Sequence, residues 1–295
     1  MALKNWTGGA GDGNIATAGN WQGGVALANG DTAMFDNSES DINAGLDLSA
    51  GATNLSLIFG PNWNGKIGRS TGALKLNDST GAIRVKSPNA DGMYIECKSS
   101  GGMGDVEVAA CGQGTNLFQI VGGIARMNVS GIGAVKLGPT AALTDPLVVS
   151  GRSTVQIESG ASLSIRQFGG LIDNYAALVD YFGEGGQLNH WGSVAGNTGS
   201  VSGVMETRPG NLIKWMAARQ NAGFTVAKLR TLGGTFDAGE IAAANTLTLL
   251  ELATGLCLLN PLWTVTTRKI LLANAVANYT GPTPATDIPM AIYGR

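Results

Sequence analysis

The chain has 295 residues, 45 of them glycine, with 19 basic against 21 acidic side chains, so glycine runs at about twice its usual share and charge at about half. A hydrophobic content of 44% excludes disorder, and nine prolines without a Gly-X-Y period exclude collagen. No apolar run reaches the ~20 residues of a membrane helix, and a net charge of −2 gives no general attraction for nucleic acid or an anionic membrane.

Residues 1–50 read as an N-terminal cap or arm rich in Gly, Asn and Trp. From 51 to 170, short runs alternate apolar and polar residues, the period of a half-buried strand. Runs begin at 83, 94, 106, 117, 127 and 135, and a sharper series begins at 147, 155 and 163. This is the close, regular spacing of successive short strands. Gly, Ser, Asn or Asp separates them. Strands this short cannot bury a face alone, so regular repetition implies stacked neighbours. The predicted fold class is therefore mainly β: a right-handed parallel β-helix or solenoid with a few short helices. A jelly roll or other antiparallel β-sandwich is the alternative. Uniform small corners and few hairpin dipeptides favour the solenoid.

The texture changes in a second β-rich part, 171–278. Leu171, Tyr175, Leu178 and Phe182 form a helical stripe ended by Gly183, and 211–219 reads as a helix or a wide strand. Strand-like runs resume at 224–226, 246–250 and 270–272. Residues 279–295 contain Pro282, Pro284 and Pro289 and read as an extended C-terminal arm.

Candidate chemistry is sparse. His190 is the single histidine, so a triad or His-based metal site would hang on it alone, and an interior or surface role is the stronger reading. Cys97, Cys111 and Cys257 are too few and scattered for a disulfide scaffold and read as small buried thiols. The segment 60–67 matches a P-loop except that Ile67 stands where Ser or Thr must reach magnesium, and Pro61 removes a backbone donor. The segment 8–14 suggests a calcium nonapeptide, but its Asp12 is one place early and the unit does not repeat. Asp173 and Asp180 could oppose each other across a sugar if 171–182 were helical, at about 10 Å by helical rise. No cofactor and no metal is expected, and the chain reads as a protein that is not an enzyme.

The opening carries a more specific pattern: Asn5-Trp6-Thr7-Gly8-Gly9, then Asn20-Trp21-Gln22-Gly23-Gly24, then Gly30-Asp31-Thr32-Ala33-Met34-Phe35-Asp36. This resembles the Trp-x-Gly-Gly…Asn-Trp…Gly-Asp-x-Ala-x-Phe start of bacterial autotransporter passengers and of some phage virion proteins. The resemblance implies a β-helix start in which Trp6, Trp21 and Phe35 cover the open end of a stacked core. With no export signal or membrane barrel in the sequence, it points to a phage virion component made in the host bacterial cytoplasm. A capsid decoration (cement) protein is the first expectation, and a tail fibre or receptor-binding protein the second. A passenger fragment and a polysaccharide-active β-helix enzyme follow. The implied partners are further copies of the chain, as a trimer, and the major capsid protein or other virion proteins, with no nucleic acid and no membrane. Expected contact residues are Trp6, Trp21, Phe35, Tyr279, Pro282, Pro284, Pro289 and Tyr293.

Overall fold

The computed structural model describes residues 2–36, 41–49, 52–77, 80–97, 103–111, 117–158, 162–192, 199–216, 223–240, 243–272 and 279–288. They form a parallel sheet wound as a β-solenoid of about ten turns. Two compact units divide the chain, Met1–Leu147 with Gly151–Val155 and Val148–Ser150 with Gln156–Arg295. Thr32–Phe35 pairs with Ser56–Phe59, and one strand runs from Ser162 to Asn174.

In the first unit one ladder stacks Leu3–Asn5, Thr32–Phe35, Ser56–Phe59, Ala82–Lys86, Met103–Ala110 and the later part of Phe118–Ile132. Its register places Leu3 beside Thr32, Thr32 beside Ser56, Leu57 beside Ile83, Ile83 beside Val106 and Val106 beside Met127. One turn in this ladder therefore takes up the chain from Leu3 to Thr32 at its longest and from Val106 to Met127 at its shortest. A second ladder on another side of the coil stacks Met93 on Phe118 and Phe118 on Val135. Successive runs of the sequence thus alternate between sides of one coil. Every ladder among the described residues is parallel, which removes the antiparallel sandwich.

Period-two alternation sends one set of side chains inward. Ala33, Leu57, Ile83, Val106 and Met127 stack in register, as do Phe35, Phe59, Val85, Val108 and Val129, and all of them are buried. Each such buried side chain of Val, Leu or Phe size contributes about 1.5–3 kcal/mol of hydrophobic stabilisation. In the second unit Leu163, Leu178, Val201, Val226, Leu247 and Val265 form the equivalent buried column.

The helix expected over 171–182 is corrected, and the strand alternative holds for the start of 211–219. The segment 171–182 is not a helix: it holds the end of Ser162–Asn174 and the start of Ala177–His190, both strands. Its inward set is Ile172, Asn174, Ala176 and Leu178, a period of two hidden because Asn174 is polar and Tyr175 lies on the outward side. Of the segment 211–219, Asn211–Trp215 is a strand and 217–219 lie outside the described residues. Several strands are also far longer than the expected short runs, since Ala177–His190, Thr225–Ala238 and Asn245–Leu259 have 14, 14 and 15 residues. Each passes through a glycine corner without losing its pairing, so two runs of the sequence merge into one bent strand. At these corners Gly186 and Gly255 have φ of +77° and +89°. A Cβ on Gly186 would lie 2.5 Å from the carbonyl oxygen of Gly170 on the neighbouring turn. Only glycine combines that backbone conformation with so close an approach.

Candidate functional site

The residues singled out for chemistry are tied into structural roles. His190 is fully buried, with Nδ1 2.9 Å from Asn174 Nδ2 and Nε2 2.5 Å from the Gly199 carbonyl. Those partners define a neutral ring whose Nε2–H donates to Gly199 and whose Nδ1 accepts from Asn174. Burial pushes its pKa down to about 4, and Trp215 packs on it with ring centroids 4.5 Å apart. Such a ring has no access to a substrate proton.

Asp173 accepts hydrogen bonds from Asn189 Nδ2 at 2.9 Å and Trp191 Nε1 at 3.1 Å. Asp180 accepts from the Val204 backbone N–H at 2.7 Å, beside the register shift between Ala177–His190 and Val201–Thr207. The two carboxylates sit on different strands and serve different turns, so no helix presents them as a pair.

All three cysteines are buried thiols outside any disulfide. Burial pushes the Cys111 thiol up to about 11, and it raises Cys257 further, so neither offers a thiolate at neutral pH. Asp12 accepts from the Asn14 N–H, the Asn20 amide and the Thr17 hydroxyl. The Asn14 hydrogen bond, with those of Thr17 and Asn20, holds its carboxyl below the usual range. A carboxylate ringed by donors staples a turn; calcium needs a ring of oxygen acceptors. In the P-loop-like segment the Asn62 N–H donates to Asp36 Oδ1 at 3.1 Å, so a carboxylate occupies the amide that a phosphate would need. Among the described residues no His, Cys, Asp and Glu group is arranged to hold a metal, and no helix is long and apolar enough to cross a membrane.

The expected contact residues divide. Trp6, Trp21 and Phe35 are 2%, 2% and 0% exposed, so the side chains expected to meet a partner lie inside the first turns. Trp6 meets Trp21 edge-on at 5.2 Å, and Phe35 stacks on Phe59 at 4.8 Å and 12°. The Trp21 Nε1–H donates to the Ile15 carbonyl at 2.8 Å, which satisfies its polar edge. In the second unit residues 279–288 of the Pro-rich segment form a further partial turn of the coil. Tyr279 pairs beside Cys257, and Thr286–Ile288 pairs with Thr267, Arg268 and Lys269. Arg268 lies 5.0 Å over the Tyr279 ring and grips both oxygens of Asp287, and the Tyr279 hydroxyl donates to the Pro282 carbonyl. Pro282 and Pro284 are half-buried, while Pro289 and Tyr293 lie outside the described residues.

A feature not found from the sequence lies on one face of the second unit. Register aligns Arg166, Phe182, Glu206, Arg230, Glu251 and Lys269 on successive strands. Glu206, 2% exposed at its side chain, is held by Arg208 at 2.8 Å and Arg230 at 3.0 Å. Glu251, 8% exposed, is held by Arg230 at 2.8 Å and Lys228 at 3.0 Å. Burial alone would raise the Glu251 pKa, but hydrogen bonds from Arg230 and Lys228 outweigh it and hold the carboxyl below its usual range. At one end of this ladder Arg166, Phe168, Phe182, Glu184 and Arg208 line a cleft of about 280 Å³. Arg208 spans it, binding Glu184 at 2.6 Å on one side and Glu206 on the other. Phe168 is 50% exposed. No short motif marks this group in the sequence, because its members lie on separate strands and only the pitch of the coil brings them together.

No protein-family model, no curated protein and no solved structure matches the chain.

Proposed function

We propose that the chain is a non-enzymatic structural protein of a phage virion, a capsid decoration protein that binds across neighbouring subunits of the head shell. The observation that carries this reading is the engagement of its chemistry-bearing side chains in the coil. His190, Asp173, Asp180 and the three cysteines are each buried or bound to their own fold, which suits a rigid surface for joining better than a reaction centre. The opening motif's likeness to phage virion proteins supplies the class.

The proposed mechanism is linkage. Protomers assembled as a trimer bind subunit junctions that exist only on the assembled shell, and so stabilise the shell over free subunits. The low charge suits broad, hydrogen-bonded and apolar contacts. The last partial turn, with Ile288 44% exposed, is the proposed contact element in place of the buried Trp6, Trp21 and Phe35.

The test is antibody-gold electron microscopy of particles, together with the heat resistance of shells carrying or lacking the protein. Label spread over the head and a raised disruption temperature support the reading, and label confined to the tail overturns it. A receptor-binding tail protein is the second reading, favoured by the aromatic and arginine-lined cleft. In either case the proposed location is the virion.

A further inference from the structure

We propose that the cleft lined by Arg166, Phe168, Phe182, Glu184 and Arg208 binds a carboxylate-bearing sugar of an acidic glycan. This stands apart from the location of the protein on a particle.

Three observations carry it. First, the two arginines in the cleft differ. Arg208 has its guanidinium divided between Glu184 and Glu206, whereas Arg166 has no hydrogen-bond or ion-pair partner among the described residues and is exposed at the rim. A free guanidinium is a planar fork that matches a carboxylate in two parallel hydrogen bonds. Second, Arg166 stands in register beside Phe182, and half-exposed Phe168 follows on the same face of the same strand. Aromatic rings open to solvent beside a cation form a platform for the apolar face of a pyranose while the fork takes its acid group. Third, the cleft, at about 280 Å³, lies just under the ~300 Å³ where pockets for small ligands begin. It accepts one ring, with a longer glycan continuing along the open face. Glu184 is the acceptor available to sugar hydroxyls, its charge already balanced by Arg208.

The net charge of −2 opposes non-specific capture of a polyanion, so binding must come from the local fork.

The experiment is calorimetric titration of the full chain with oligogalacturonate and with the same oligosaccharide after its carboxylates are reduced to alcohols. The expected result is binding of the acidic oligomer with at least tenfold preference. Arg166→Gln should abolish that preference, Arg166→Lys should restore only part of it, and Phe168→Ala should weaken both oligomers about tenfold. Arg166 and Phe168 are exposed, so these variants should keep the wild-type circular dichroism and melting temperature. Equal binding of the two oligomers, full affinity in Arg166→Gln, or no binding at millimolar oligosaccharide each overturns the proposal.

Discussion

Asn211 donates a hydrogen bond to the hydroxyl of Tyr181 at 2.8 Å across the interior of the second unit, and Tyr181 in turn donates to Gln167 Oε1 at 2.6 Å. The three side chains sit on three different turns of the coil. The amide of Gln167 also donates to the carbonyls of Gly170 and Gln187, and that of Asn211 to the carbonyls of Gly185 and Gly186. A chain of buried polar groups thus satisfies the carbonyls exposed where the backbone bends at glycine. Tyr181→Phe leaves Gln167 Oε1 without its donor while preserving the ring's packing. The expected loss is about 1–3 kcal/mol, read from denaturant unfolding of the variant against the wild type. A variant as stable as the wild type would show that water replaces the hydroxyl.

The corner glycines are steric requirements as well as hydrogen-bonding ones. Gly186→Ala places a methyl against the Gly170 carbonyl at a φ of +77°. The left-handed conformation alone costs about 1–2 kcal/mol for a residue with a Cβ, and the contact adds to it. Gly72→Ala, where a Cβ meets only the Arg69 side chain at 3.7 Å, should stay within about 0.5 kcal/mol of wild type. Comparing the two midpoints in urea checks the difference.

His190 makes stability depend on pH between its unfolded value of 6.5 and its folded value of about 4. In that window the unfolded chain takes up a proton that the buried ring refuses. Stability therefore falls as pH is lowered from 6.5 toward 4, by about 1.4 kcal/mol per pH unit at the steepest. Unfolding curves at pH 7, 6 and 5 measure the slope, and His190→Asn should flatten it. An unchanged slope in the variant would assign the effect elsewhere.

Arg230 lies between two nearly buried carboxylates, Glu206 and Glu251. Arg230→Met keeps much of the side chain's volume but leaves Glu206 to Arg208 and Glu251 to Lys228. The expected destabilisation is about 2–4 kcal/mol at pH 7, near the range for breaking a buried pair. It should shrink as pH falls below the ordinary glutamate value of 4.5, where the wild type progressively loses the contribution of Glu251. The sign follows from that carboxyl's lowered pKa: its stabilisation is present above the unfolded value and disappears as the folded group protonates. Thermal melts of both proteins at pH 7 and pH 3.5 check this.

Deleting residues 281–295 removes Asp287 from Arg268 and the strand Thr286–Ile288 from its neighbour. The interior columns of earlier turns do not depend on this strand. Under the proposed decoration role, the expected outcome is an almost unchanged β-sheet circular dichroism with weaker self-association or shell attachment, measured by sedimentation and by binding to purified shells.

Much of the first unit was legible because burial there follows hydrophobicity. Leu57, Ile83, Val106 and Met127 alternate with polar neighbours, and the same residues stack in the core. The second unit obscures the period by burying polar groups at inward positions. Asn174, His190, Asn211 and Gln167 face inward, while Phe168 and Val179 face outward with 50% and 40% exposure. A hydrophobic period cannot reveal a strand whose inward residues are amides, so the residues 171, 175, 178 and 182 mimicked a helix.

Local properties of the chain were enough to foretell alternating segments that stack and turn at small residues, since period-two burial and glycine's backbone freedom belong to each short stretch. Composition likewise left His190 without a second histidine to share its chemistry. The parallel pairing, with Leu3 brought beside Thr32 and Val106 beside Met127, belongs to the folded coil. So does the placing of Arg166 beside Phe182 and of Arg230 between Glu206 and Glu251. Such neighbours are set by register between turns, which depends on the summed fit of whole columns of side chains and on no single stretch of the sequence.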